Sequence, residues 1–214
     1  RASPDRACGV YHHLVIAAHP IVGMRARHGG STLDTVTIHA QLPLLDEILR
    51  RWSGAIGADY PGYRNHVYRM VNFSLALRVC TADERRQLII AGCFHDLGIW
   101  SDDAVDYLPP SISRARSYLH EQALDRWVPD IEPMIAFHHQ VTAHRDDARP
   151  LVEVFRRADL IDVSLGLVRF GLSRSYVNRV RTQFPNAGFH RRLVRLAATG
   201  IVTHPFRPLP FFKW

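Results

Sequence analysis

From Leu42 onward apolar residues recur at three- and four-residue intervals in segments bounded by capping and breaking residues. No stretch holds the two-residue alternation of a strand. The chain therefore reads as all-α. Pro43 to Trp52 gives a first predicted helix, closed by Ser53 and Gly54, and after the turn-rich Gly57 to Gly62 a second runs to about Val79. Thr81 followed by Glu84 makes a capping box, in which hydroxyl and carboxylate satisfy exposed amides, so a third helix begins there and ends near Gly98. A loop through Asp102, Asp103, Pro109 and Pro110 precedes a fourth, capped by Ser111 and reaching about Trp127. Asp130 caps a fifth, with Pro133 in its first turn, ending near His139. Pro150 opens a sixth to about Gly166. Two more fall at about Ser173 to Gln183 and His190 to Thr199.

Residues 1 to about 38 lack helical periodicity and read as an irregular extension outside the working fold, leaving 39–214 as one domain. The proline-rich tail from Pro205 to Trp214 carries Phe206, Leu209, Phe211, Phe212 and Trp214. These are costly to leave in water, so the tail is expected to pack across the domain. No internal repeat or low-complexity tract interrupts this plan.

Ionisable residues fall on the apolar stripes. Counting back from Met70, Phe73 and Leu77 lands on His66; Leu88, Ala91 and Gly92 lead to His95, with Asp96 beside it; Val152 and Phe155 lead to Asp159. A buried carboxylate costs several kcal/mol unless it is paired or binds a metal. Two histidines and two carboxylates make a donor set for a divalent first-row metal with positions left for water and substrate. Such an ion lowers the pKa of its water from about 15.7 toward about 7, which is what hydrolysis at neutral pH needs. A structural ion pair or buried hydrogen-bonded network uses the same residue types, and spacing leaves both readings open.

Composition changes this picture little. A length of 214 residues with 47% hydrophobic content supports one domain with a substantial core. Cys8, Cys80 and Cys93 form no close pair of the zinc or disulfide kind, which fits a reducing, cytoplasmic setting. No apolar run reaches the roughly 20 residues of a membrane span, and the N-terminus does not read as a signal peptide. The net charge of +7 rests on arginine, since Lys213 is the only lysine, and it favours anionic partners such as a phosphorylated small molecule. No nucleic-acid motif and no basic-aromatic pattern accompanies it, so nucleic acid is not the expected partner.

The order His, His-Asp, Asp resembles the HD-domain superfamily of metal-dependent phosphohydrolases. The matching stretches are "YRNHVYRM", "LIIAGCFHDLGIW", "MIAFHHQ" and "VFRRADLID", spanning about Tyr63 to Asp162, within a motif-bearing core at about 60–165. The resemblance implies an HD-type helical bundle with His66, His95, Asp96 and Asp159 as ligands of a divalent ion (Mn, Fe, Zn, Co, Ni or Mg). Asp159 is preferred to Asp162 because it follows Ala158 in the family's "AD" pair. It further implies that Asp96 orients the attacking water. His138, on the stripe of Ile131, Met134 and Ile135, becomes a second catalytic group acting as acid or base. His139, Arg64 and Arg69 become candidate substrate contacts, the arginines through a phosphate oxygen; a salt bridge is the competing use for each arginine.

Members with two metals add histidines, for which the candidates here are His120, His138 and His139. The spacing of His120 is too short for that pattern and reads as a surface histidine, so one metal is expected. Ile99 stands where some branches carry a catalytic glutamate, lysine or histidine, which removes support for those activities. The reading that results is a hydrolase of a nucleotide or other small phosphorylated metabolite. The alternatives are a di-iron HD-fold oxygenase, a weaker hydratase option, and a non-catalytic nucleotide-binding HD module.

Overall fold

From Pro43 to Thr203 the described residues form a succession of helices. They are α1 (Pro43–Arg51), α2 (Ser53–Ile56), α3 (Tyr60–Leu77), α4 (Ala82–Phe94), α5 (Gly98–Ser101), α6 (Leu108–Glu121), α7 (Val128–Phe137), α8 (Pro150–Val163), α9 (Arg174–Gln183) and α10 (Phe189–Thr203). The structure, a computed structural model, describes residues 36–102 and 106–203, and these contain no strand. The N-terminal extension to residue 35 and the proline-rich tail from 204 lie outside the described residues. No described helix is long and apolar enough to cross a membrane.

The core is organised around α3, which is buried on every side from His66 to Ser74. A helix buried all round belongs at the centre of a bundle. It packs along α8 and α4, while α7 closes against α4, α6 and α8. Leu45, Ile48 and Leu49 of α1, Leu88 to Ala91 of α4, Ile131, Met134 and Ile135 of α7, and Phe155 and Ile161 of α8 complete one continuous apolar cluster.

The capping box at α4 forms as predicted, with Glu84 N donating to Thr81 Oγ1 and Thr81 N donating to Glu84 Oε2. Several boundaries differ, each for a local reason. Ser53 and Gly54 do not end a helix but lie in the short α2. α4 stops at Phe94 rather than Gly98, because three-residue bonds from Leu97 N to Phe94 O and Ile99 N to Asp96 O tighten the next turn. Pro109 and Pro110 sit in the first turn of α6, where a missing amide hydrogen costs nothing, so Ser111 is not a cap. It is buried, and its Oγ accepts from Gly98 N at 3.0 Å. α6 ends at Glu121, where Ala123 turns to φ 53° and Leu124 N bonds back to Leu119 O, a Schellman-type stop. α7 begins at Val128, which places Asp130 in its first turn and Pro133 inside it.

Close approach of α5 to the start of α6 depends on Gly98. A Cβ there would stand 2.4 Å from Tyr107 O and 3.1 Å from Ser111 Oγ. This contact holds the turn containing His95 and Asp96 against the segment that delivers Tyr107.

Candidate functional site

His66 comes from α3, His95 and Asp96 from the tight turn after α4, and Asp159 from α8; all four are buried. His66 Nε2 lies 3.1 Å from His95 Nε2, 3.6 Å from Asp159 Oδ1 and 3.9 Å from Asp96 Oδ2. His95 Nε2 is 3.3 Å from Asp96 Oδ2. Bonds of about 2.1 Å to one ion put neighbouring donors about 3.0–3.4 Å apart. The two shorter separations fall in that range, and the two longer ones exceed it by a few tenths of an ångström.

The hydrogen bonds on the far side of each ring decide which nitrogens carry protons. His95 Nδ1 faces Gly92 O at 2.8 Å and His138 Nδ1 faces Ile135 O at 2.7 Å. A carbonyl oxygen only accepts, so both Nδ1 atoms are protonated. His66 Nδ1 donates to Asp162 Oδ2 at 2.6 Å. His66 Nε2 is thus left with a lone pair, and so are His95 Nε2 and His138 Nε2 whenever those rings carry a single proton. Two of these lone pairs meet head-on at 3.1 Å. The third, on His138, is 3.4 Å from Asp96 Oδ1, and neither of those two buried atoms has a hydrogen-bond partner. Buried acceptors facing acceptors are costly, and a cation between them removes the cost.

Charge tells the same story. Burial drives the His66 pKa down to about 4, against the opposing pull of Asp162, so the ring is neutral near pH 7. Burial, aided by the Asp96 and Asp162 carboxylates, pushes Asp159 up to about 8. Burial also works to raise Asp96, but the facing His95 and His138 rings outweigh it and hold it well below the usual carboxylate range. Asp162 is lowered too: burial is overcome by Arg69 and then by His66. Arg69 therefore balances Asp162, and near pH 7, where Asp159 holds its proton, the carboxylate charge left facing the cluster is that of Asp96.

Among the described residues two donor groups draw together within 4.8 Å, His66–His95–Asp96 and Asp96–His138–His139. Asp96 is common to both. His138, the first residue beyond α7, is buried as its stripe predicts. His139 Nε2 meets the Tyr107 hydroxyl at 2.5 Å, and its Nδ1 lies 3.9 Å from Asp159 Oδ2. Burial and the neighbouring His138 ring press His139 well below its ordinary pKa.

Arg64 and Arg69 are each held by a carboxylate, the competing use that the sequence left open. Arg69 is buried and clamps Asp162 with Nε and Nη2, at 2.5 and 2.7 Å, while Nη1 donates to Phe184 O and Pro185 O. Arg64 Nε donates to Asp46 Oδ1 at 2.7 Å and its guanidinium lies over the Tyr68 ring. His120 is 82% exposed and pairs with Asp125, as a surface histidine should. Ile99 is buried in a small cluster with Tyr107 and Leu108.

Asp162, Tyr107 and Phe189 were not singled out by the stripes. Asp162 lies one turn after Asp159 as Arg69 lies one turn after His66, and that matched spacing on two packed helices was the available signal. Phe189 opens α10 and stacks on the His66 ring with centroids 3.9 Å apart, a contact no local pattern announces. A cavity of about 470 Å³ opens beside His138, His139 and Asp159.

Compared with known proteins, the chain matches no family model, no curated protein and no solved structure.

Proposed function

We propose that the chain is a metal-dependent hydrolase of the HD type, cleaving a phosphate ester, with His66, His95, Asp96 and Asp159 holding a divalent ion. The observation that carries the reading is the set of lone pairs on His66, His95 and His138, fixed inward by hydrogen bonds on the opposite ring nitrogens. The phosphate ester rests on the motif resemblance; the hydrolytic chemistry rests on the donor set. When bound, the ion supplies a Lewis acid and a lowered pKa for water.

The chain's own residues do the remaining work. Asp162, locked by Arg69, orients the His66 ring. Asp96 orients the attacking water, and His138 Nε2, the lone pair beside it, receives the proton that water gives up. The His139–Tyr107 pair contacts the substrate and can return a proton to the departing alcohol as the ester bond breaks. Neither Arg64 nor Arg69 has a role in this scheme, so a nucleotide loses its two predicted phosphate contacts.

Elemental analysis of protein purified without a metal-binding tag, beside assays on a phosphoester panel, tests the proposal. About one divalent ion per chain is expected, with hydrolysis lost on chelation and in Asp96→Ala. Metal-free protein with an intact fold, to which no divalent ion binds on addition, overturns it. A di-iron oxygenase keeps one supporting feature, the second donor group Asp96–His138–His139, although its expected ligand His120 lies at the surface. Iron near two per chain would favour it.

A further inference from the structure

The wall of the cavity beside the cluster differs in character from its floor. Leu160 and Val163 of α8 face Leu193, Val194 and Leu196 of α10, with Val141 at one side, while His138, His139 and Asp159 lie at the cluster end. A volume of about 470 Å³ falls within the roughly 300–1,000 Å³ of small-molecule sites, which combine apolar walls with a few convergent polar groups.

Among the described residues that line the wall, the cationic side chain is already engaged by protein partners. Arg156 is the arginine that lines it, and both edges of its guanidinium are committed: Nε and Nη2 bridge Glu153 at 2.7 and 2.8 Å, and Nη1 donates to Gln140 O. His190 also lines the cavity. Its Nε2 faces the Asp162 carbonyl oxygen at 3.1 Å and its Nδ1 faces Asn186 Nδ2 at 2.6 Å, so both ring nitrogens are engaged. A polyphosphate lying along this wall, away from the cluster end, would shed its water against leucine and valine with no free guanidinium among the described lining residues to replace it, which is a large cost for a charged group.

We infer that this cavity receives an uncharged, apolar body of aryl or branched-alkyl type, whose single polar group is presented to His138, His139 and Asp159. The identity of that reacting group rests on the hydrolase reading; the chemistry of the body rests on the wall. Substrates with polyphosphate or strongly polar bodies are excluded by the same wall.

Naphthol, an uncharged aryl probe, separates these claims when titrated into the full chain by fluorescence, with and without chelator. Saturable binding of one naphthol per chain is expected in both states. Val194 is 69% exposed, so Val194→Asp is accommodated by the fold, checked by circular dichroism, and should weaken naphthol at least tenfold while Val194→Leu preserves it. A nucleoside triphosphate should fail to displace the probe. With metal bound, naphthyl phosphate should exceed a nucleoside monophosphate in kcat/KM at least tenfold. Protein that binds naphthol but no metal upholds the cavity assignment while removing the hydrolase. Protein that binds metal and cleaves phosphoesters without saturable naphthol binding, or with binding unchanged by Val194→Asp, overturns the cavity assignment and leaves the hydrolase standing.

Discussion

His66 Nδ1 lies 2.6 Å from Asp162 Oδ2, and Arg69 grips both oxygens of that carboxylate. The contact sets the tautomer of His66 and aims its Nε2 at the donor cluster. Carboxylates behind ligating histidines commonly change metal affinity 10- to 100-fold. Asp162→Asn should therefore weaken metal binding by about that factor while leaving the four ligands in place. Competition against a chelator of known affinity measures it, and unchanged affinity would assign Asp162 to stability alone.

Arg69 and Asp162 are both buried, so each is tolerable only with the other. Removing one partner of such a pair costs about 3–5 kcal/mol, because it leaves an unmatched charge inside the protein. Arg69→Met should lower the unfolding free energy, read from urea titration, by an amount in that range. The double variant Arg69→Met with Asp162→Asn should recover much of the loss, since both charges are then gone. Equal destabilisation in single and double variants would mean that the arginine acts through packing and its bonds to Phe184 and Pro185.

A donor cluster short of positive charge should be stabilised by a cation. At a free metal concentration about a hundred times the Kd the gain is about 2.7 kcal/mol. The thermal midpoint should rise on metal addition in wild type and stay flat in His95→Ala. His120→Ala, a change at an exposed site, should alter stability by less than about 0.5 kcal/mol and leave the metal content as it was. Loss of one metal from His120→Ala would restore the two-metal pattern that the surface position of this residue argues against.

Elements whose causes are local were legible in the sequence. The Thr81–Glu84 box, Pro150 at the start of α8 and the stripes that turn His66, His95, Asp96, Asp159 and His138 inward depend on spacing within one helix. What sequence reading missed depends on partners distant along the chain. For Arg64 and Arg69 the sequence left a phosphate contact and a salt bridge both open, because nothing local showed that Asp46 and Asp162 would hold them. Pro109 and Pro110 read as a loop because proline marks both a helix start and a helix stop, and the choice was made by Gly98, where α5 comes close to Tyr107 O. The apolar cavity was invisible for the same reason: its opposing walls come from α8 and α10, some thirty residues apart.

Gly98→Ala tests that junction. The new methyl would stand 2.4 Å from Tyr107 O and 2.9 Å from the Pro110 ring, with backbone rather than a flexible side chain in the way. Overpacking of this kind costs about 1–3 kcal/mol. Because the turn carrying His95 and Asp96 is held by the same contact, the variant should lose metal affinity together with stability. A stable variant with full metal content would show that the α5–α6 contact does not hold the cluster.

Away from the cluster, Glu153 supplies a pH dependence of known sign. Burial alone would raise its pKa, but Arg156, the backbone N–H of His144 and Arg157 overcome this and lower it from 4.5 to about 2. A carboxyl depressed in the folded state contributes stability that is fully present above its unfolded value and is lost as pH falls through the folded one. Wild type should thus lose stability between about pH 5 and pH 2. Glu153→Gln should be less stable at neutral pH, because Arg156 is buried and no longer balanced, and should show a flatter decline across that window. Urea midpoints at intervals of pH measure both curves. Parallel curves for the two proteins would place the acid sensitivity in other carboxylates and leave Glu153 as a hydrogen-bond acceptor whose charge is immaterial.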